Sequence, residues 1–342
     1  MDRVAAVAAL ALLVAAGLAA CAAPDLTLPS SPTSPAPPPK VRFLAFGDAG
    51  TGAPQQAAVA AAMAKVCAEL GCDFALDLGD NIYEAGASRA DDPQFDTKFE
   101  RPYANLTIPV WLVLGNHDNG DPGESPMAGL GAWYQTGNNE VAYSARTDRA
   151  SDKWHMPARY YNVSAEGVVD FLALDTNTLV YEDLPVPPDL KAKVREQTDW
   201  VDGAVAAAKS PWRIALGHHP YVSNGPHGNA GSYDGKPGVP GLSGDYLKQF
   251  FEAHLCGKID VYLSGHDHDL EWLDPVASCG HTEFVVSGGG GADTYPLSGS
   301  GPTRFQAQTF GFWWFEATPQ ALRLTAFDGK GNVLHEAILP HA

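Results

Sequence analysis

Five apolar runs in this chain each stop at a glycine and then offer a residue able to bind a metal. Val41–Phe46 leads into Gly47-Asp48-Ala49-Gly50, and Phe74–Leu78 into Gly79-Asp80-Asn81-Ile82-Tyr83. Val110–Leu114 leads into Gly115-Asn116-His117-Asp118, Ile214–Leu216 into Gly217-His218-His219-Pro220, and Val261–Ser264 into Gly265-His266-Asp267-His268. An apolar run broken by glycine reads as a buried strand ending in a turn, and open α/β sheets hold their chemistry at the carboxyl ends of strands. The donors mix hard oxygens (Asp48, Asp80, Tyr83, Asn116) with imidazoles (His218, His266, His268), and none is a cysteine. That set suits iron, zinc or manganese and not a thiolate-bound metal. Two such ions about 3.5–4 Å apart, bridged by one carboxylate, form a clamp for in-line phosphoryl displacement. Asp80 is read as the shared ligand.

Singly, most of these residues have a plainer use. Asp48 before glycine is a turn or helix-cap residue, Tyr83 a core aromatic, and Gly-Asn-His-Asp a turn. Gly-His-Asp-His is more pointed, because paired imidazoles at a strand end have few structural uses. All five in order, each at a strand end, outweigh the plain readings.

The elements that must position them follow from the pattern between motifs. Gln55–Leu70 is Ala-rich with helical periodicity, which gives strand, loop, helix, strand and so a parallel pair. Asp92–Tyr103 reads as a second helix and Gly120–Ser151 as a long functional loop. Val168–Leu174 reads as a strand, Asp189–Lys209 as a helix, Pro220–Gly244 as a Gly/Pro loop carrying His227, and Tyr246–Leu255 as a short helix. The tail alternates as strands at 283–286, 311–316, 322–327 and 333–339, with Asp328-Gly329-Lys330-Gly331-Asn332 as a hairpin turn. The expected fold is α/β with mixed sheets: two β-sheets packed face to face as a sandwich with helices outside.

In this order the motifs resemble those of the purple acid phosphatases, members of the calcineurin-like metallophosphoesterases, and most closely the small, tartrate-resistant type. Lys153-Trp154-His155-Met156-Pro157 to Tyr161, Leu174-Asp175-Thr176 and Val285-Val286-Ser287-Gly288 are similar too, so the resemblance spans roughly Val41–Leu339. Most of the superfamily places a His two residues after the first Asp. Here that position is Gly50, and Tyr83 follows the second Asp, an exchange the purple acid phosphatases make. The resemblance implies a four-layer αββα fold, ferric iron held by Asp48, Tyr83 and His268, and a second divalent iron, zinc or manganese held by Asn116, His218 and His266, with Asp80 bridging. It implies hydrolysis of phosphate monoesters by attack of a metal-bound hydroxide, with His117 assisting the leaving group and His227 as a second substrate-facing histidine. A phosphodiesterase or nucleotidase on the same site is the alternative, and a non-catalytic binding lipoprotein a further one. His219 stands where relatives usually carry Tyr, and Asp269 where they often carry Asn. Asp118 is read either as orienting His117 or as a cap, and Asp267 as pointing away from the metals. His155, His254, His281, His335 and His341 lie outside the pattern.

The bulk properties set limits. A net charge of −18 argues against a nucleic-acid partner or an anionic-membrane surface. It also means that a bound phosphate ester must find its positive charge elsewhere, and bound cations supply it. Residues 1–21 read as a secretory leader whose end, Leu18-Ala19-Ala20-Cys21, resembles the bacterial lipobox with Cys21 lipidated. Residues 22–40, rich in Pro, Ser and Thr, read as a disordered tether, and 41–342 as the catalytic domain. The expectation is an exported lipoprotein of the bacterial cell envelope, meeting the membrane only through its lipid and acting on a small phosphate ester. Four further cysteines in such a compartment suggest disulfides. Of three possible pairings, the sequence-local one, Cys67–Cys72 and Cys256–Cys279, is the expected one.

Overall fold

The apolar runs pair into two sheets. The computed structural model describes residues 38–120, 133–182 and 188–341. The leader, Cys21 and the tether up to residue 37 lie outside the described residues. In chain order the strands are β1 (Val41–Phe46), β2 (Phe74–Asp77), β3 (Val110–Leu112), β4 (Trp154–His155), β5 (Tyr161–Ala165), β6 (Val169–Ala173) and β7 (Trp212–Leu216). There follow β8 (Val261–Ser264), β9 (Leu270–Leu273), β10 (Glu283–Ser287), β11 (Thr303–Ala307), β12 (Gly311–Thr318), β13 (Ala321–Asp328) and β14 (Val333–Pro340). Sheet one runs β14-β13-β12-β1-β2-β3-β4 and sheet two β11-β9-β10-β8-β7-β6-β5. Both are mixed. β1 to β4 are parallel and β12 to β14 antiparallel; β6, β7, β8 and β10 are parallel, with antiparallel strands at either side.

Strand alternation divides the side chains of sheet two between two cores. Phe171, Ile214, Leu216, Leu263 and Val285 point into the core shared with sheet one. Their neighbours Leu172, Ala215, Tyr262, Phe284 and Val286 join the other core. That core is completed by α4 (Pro188–Ala207), α3 (Thr176–Val180) and α5 (Asp245–Phe250). The sandwich itself is closed by aromatics. The Phe171 ring meets Phe43 and Phe74 edge-on at 5.2 and 5.5 Å, one sheet to the other. On sheet one, α1 (Pro54–Leu70) buries Val59, Met63 and Val66. Two layers of strand with helices on their other faces is the expected fold.

Three local expectations change. The 120–151 stretch is not one long loop: it contains α2 (Trp133–Ser144). This helix lacks an apolar stripe because it packs through Tyr143, stacked 3.8 Å from Phe95, and a fully buried Glu140. The expected helix at 92–103 shrinks to a short helical turn, Asp96–Glu100. Strands β4, β5, β9 and β11 are too short or too polar to show an apolar alternation. The hairpin turn at Asp328 forms as expected, its carboxylate accepting the Lys330 and Asn332 N–H groups at 2.8 and 2.9 Å. Disulfides join Cys67 to Cys72 and Cys256 to Cys279. No helix among the described residues is long and apolar enough to cross a membrane.

Candidate metal centre

The carboxyl ends of β1, β2 and β3 from sheet one meet those of β7 and β8 from sheet two, and the five motifs converge there. Their turns are tight. Asp48, Asp80 and His266 adopt left-handed backbone conformations, with φ of 57°, 58° and 70°, each costing about 1 kcal/mol or more for a residue with a Cβ. The preceding glycines are required by contact. A Cβ on Gly115 would lie 2.1 Å from Asp80 Oδ1, and one on Gly265 2.4 Å from Asp48 Oδ2.

Two groups of three donors result. In the first, Tyr83 Oη lies 3.3 Å from Asp48 Oδ1 and 3.2 Å from His268 Nε2, and His268 Nε2 lies 3.4 Å from Asp48 Oδ1. In the second, His218 Nε2 lies 2.9 Å from Asn116 Oδ1 and 3.1 Å from His266 Nδ1. Asp80 stands between them. Its Oδ2 is 3.5 Å from His218 Nε2, and Asp48, Asp80 and His218 each offer an atom within 4.8 Å of the others. The structure thus brings together all seven residues read from sequence as ligands.

His218 Nδ1 is 3.0 Å from the Leu78 carbonyl oxygen and donates to it, which makes Nε2 the nitrogen turned to the centre. That nitrogen faces Asn116 Oδ1, Asp80 Oδ2 and His266 Nδ1. His268 likewise donates from Nδ1 to the Asp293 carbonyl at 2.6 Å and turns Nε2 to Tyr83 and Asp48; burial lowers its pKa, but the Asp48 carboxylate and the Asp293 carbonyl raise it by more. Carboxylate, amide, phenol and imidazole groups buried and turned on one another in two clusters fit a pair of cations. Burial and the neighbouring His227, His219, His218 and His268 rings push the His266 pKa well below the ordinary imidazole value, which keeps its lone pair free. Burial would raise the Asp80 pKa, but His218 and His117 outweigh it and hold the carboxylate ionised. Burial together with Asp80 and Asp48 pushes the Tyr83 phenol well above its usual range. Only a cation reverses that sign.

Around the donors the supports differ from the reading of the sequence. Asp118 does not orient His117. It clamps the Asp80 loop, accepting from the Gly115, Asp80 and Ile82 N–H groups at 2.7, 2.9 and 2.9 Å and from Asn81 Nδ2 at 3.1 Å. His117 is oriented by a carbonyl: its Nδ1 donates to Glu84 O at 2.6 Å, and Nε2 lies 3.9 Å from Asp80 Oδ2. His219 is bonded to Thr176 Oγ1 at 2.9 Å and packs against His218 and His266, so it backs the ligands. Asp267 points away from the donors, as alternation requires, and accepts the His227 N–H at 2.9 Å. Asp269 is buried beside Glu271 and Asp267, which with desolvation push its pKa well up. His227 stacks on His266 with ring centroids 4.1 Å apart. His155, His254, His281, His335 and His341 lie elsewhere, against Trp111, Asp202, Asp260, Phe305 and Pro211. Sequence reading missed Tyr295, which stacks on His268 at 4.0 Å; its place just beyond the glycine run 288–291 is the one available signal.

Comparison with known proteins identifies the family. Residues 41–270 match the calcineurin-like phosphoesterase family model. The chain is 30% identical over 339 residues to the tartrate-resistant acid phosphatase type 5 of Sus scrofa, an alignment covering 90% of this chain and 89% of that one. It is 30% identical over 316 residues to purple acid phosphatase 3 of Arabidopsis thaliana, covering 86% and 76%. Among solved structures it is similar in fold to a purple acid phosphatase from yellow lupin seeds, at 18% identity and a TM-score of 0.64, covering 89% of this chain and 54% of that one. It is also similar in fold to GAP50, the anchor in the inner membrane complex of Plasmodium, at 19% identity and a TM-score of 0.69, covering 89% of each chain.

Proposed function

This chain belongs to the calcineurin-like phosphoesterases, in their purple acid phosphatase branch, and we propose that it is an exported acid phosphatase that hydrolyses phosphate monoesters at this centre. The observation that carries the reading is the convergence of seven donors as two triads, with Asp80 between them and His117 beside it. Asp48, Tyr83 and His268 would hold one cation, taken as ferric iron from the phenol and carboxylate, and Asn116, His218 and His266 a divalent iron, zinc or manganese. Such a pair supplies the positive charge that polarises a phosphoryl group and acidifies a water.

The chain's own residues do the rest. With Nδ1 tied to Glu84, His117 has only Nε2 free for proton transfer. Burial lowers its pKa, but in the metal-free protein the Asp80 charge and the Glu84 carbonyl raise it by more, which favours the protonated ring. That proton goes to the leaving alkoxide oxygen. His227, above His266, serves as a second donor to the phosphoryl oxygens.

His117→Ala is expected to keep both metals and lose roughly 10²–10⁴ of turnover on an alkyl phosphate. Unchanged turnover removes it as the acid. Monoester and diester hydrolysis by the same preparation separates this reading from a phosphodiesterase or nucleotidase. Export and anchoring through Cys21 are supported by the apolar leader, the lipobox-like ending and the paired cysteines. Cys21→Ser should move the protein from the membrane to the soluble fraction, and a membrane-bound variant would reject the anchor.

A further inference from the structure

One carboxylate at the rim of the centre has no part in the reaction described so far. Asp234 sits in the short turn Tyr233–Gly235, within the Pro220–Gly244 loop, at φ 53°. A left-handed conformation is unusual for a residue with a side chain, and Asp is one of the few that tolerates it. The turn carries Asp234 back onto His227. The Asp234 N–H donates to the His227 carbonyl at 2.9 Å, and Asp234 Oδ1 lies 2.8 Å from His227 Nδ1.

His227 is held in three independent ways. Asp267 fixes its backbone, accepting the His227 and Gly228 N–H groups at 2.9 and 3.2 Å. His266 fixes the plane of its ring, stacked at 4.1 Å and 25°. Neither contact distinguishes the ring from one turned over by 180°, which exchanges Nδ1 with a carbon. Asp234 does. An ionised carboxylate only accepts, so the bond puts the proton on Nδ1 and leaves Nε2 as the nitrogen available to a ligand.

We propose that Asp234 is the positioning residue of His227: it fixes the ring's orientation and tautomer so that Nε2, and not a ring carbon, meets the phosphoryl oxygens. This rests on the reading of His227 as substrate-facing. The same logic orients His117, where a backbone carbonyl takes the corresponding place. A carboxylate also stabilises the imidazolium, which a carbonyl does more weakly.

The test compares the metal-loaded wild type with Asp234→Ala, Asp234→Glu, His227→Ala and the double variant His227→Ala/Asp234→Ala on one alkyl phosphate. It adds ¹⁵N imidazole spectra of the zinc-loaded protein, which report the His227 tautomer without reference to turnover. Asp234→Ala is expected to lower kcat/KM about tenfold with metal content unchanged, and to replace the Nδ1-protonated His227 signal with mixed tautomers. Asp234→Glu should recover part of the rate, and Asp234→Ala should cost nothing further once His227 is gone. Lys236→Ala removes the other partner of Asp234, 3.4 Å away, and should leave the rate unchanged. Multiplying losses in the double variant, an unchanged tautomer in Asp234→Ala, or a tenfold loss in Lys236→Ala each overturn the proposal. Wild-type turnover in His227→Ala overturns the substrate-facing reading and this proposal with it. A wild type inert to monoesters rejects the proposed reaction alone, since the tautomer spectra still decide what Asp234 does.

Discussion

Sheet one brings only oxygen donors to the centre, and sheet two only imidazoles. Asp48, Asp80, Tyr83 and Asn116 follow β1, β2 and β3; His218, His266 and His268 follow β7 and β8. The two sides are also braced differently. The oxygen side is held by a carboxylate, Asp118, that gathers backbone N–H groups from two adjacent loops. The imidazole side is held by ring stacking and by carbonyls, and one of its bonds reaches across the sandwich: His218 Nδ1 donates to Leu78 of sheet one. The His266 N–H similarly reaches Asp48 Oδ2 at 2.9 Å. Neither sheet alone presents a complete ligand set. The centre exists only where the sandwich closes, so metal affinity and the packing of two hydrophobic faces are linked.

The largest expected effect removes the joint itself. Asp80→Ala should abolish metal loading and turnover, checked by elemental analysis and phosphate release; activity with both metals retained would dismiss Asp80 as the shared ligand. Phe171→Ala acts at a distance, on the aromatic contact between the sheets. It should cost about 3–5 kcal/mol in denaturant unfolding and make the metals easier to strip with a chelator. Unchanged metal retention at reduced stability would break the linkage between closure and affinity. Tyr83→Phe separates the two sides more gently. The iron-loaded wild type should show a broad visible absorption band that the variant lacks, with the imidazole-side metal still present. A colourless wild type carrying zinc or manganese alone would reduce Tyr83 to a supporting role.

The smallest effect lies behind the oxygen side. Asp77 is buried in β2, and desolvation together with the charges of Asp118 and Asp48 raises its pKa well above 3.8. A carboxyl that binds its proton more tightly folded than unfolded makes the fold less stable as pH climbs above the unfolded value. Asp77→Asn should therefore raise the melting temperature at pH 7, by on the order of 1 kcal/mol in stability, with the gain fading below about pH 4. A gain that persists in acid would point to packing instead of charge.

Much of this was legible in the chain itself because each ligand follows a buried strand. A run of Val, Ile, Leu and Phe ended by glycine marks both the strand and the place where it stops. The two disulfides were legible for a similar reason, their partners being close in sequence. The sequence misled where packing is polar or aromatic: α2 has no apolar stripe, and Asp118 looks like a turn residue until its four donors are seen around it. Asp234 and Tyr295 lie 7 and 27 residues beyond the nearest histidine they serve, His227 and His268, and no local spacing connects them. By itself the sequence determined the donor types, their order and their strand ends, because these depend on residue chemistry and hydrophobic periodicity. Only the tertiary structure decided which nitrogen of each histidine faces the centre and what holds the rings in place. Those depend on contacts between two sheets, such as Asp48 with His266, which the chain brings together from 218 residues apart.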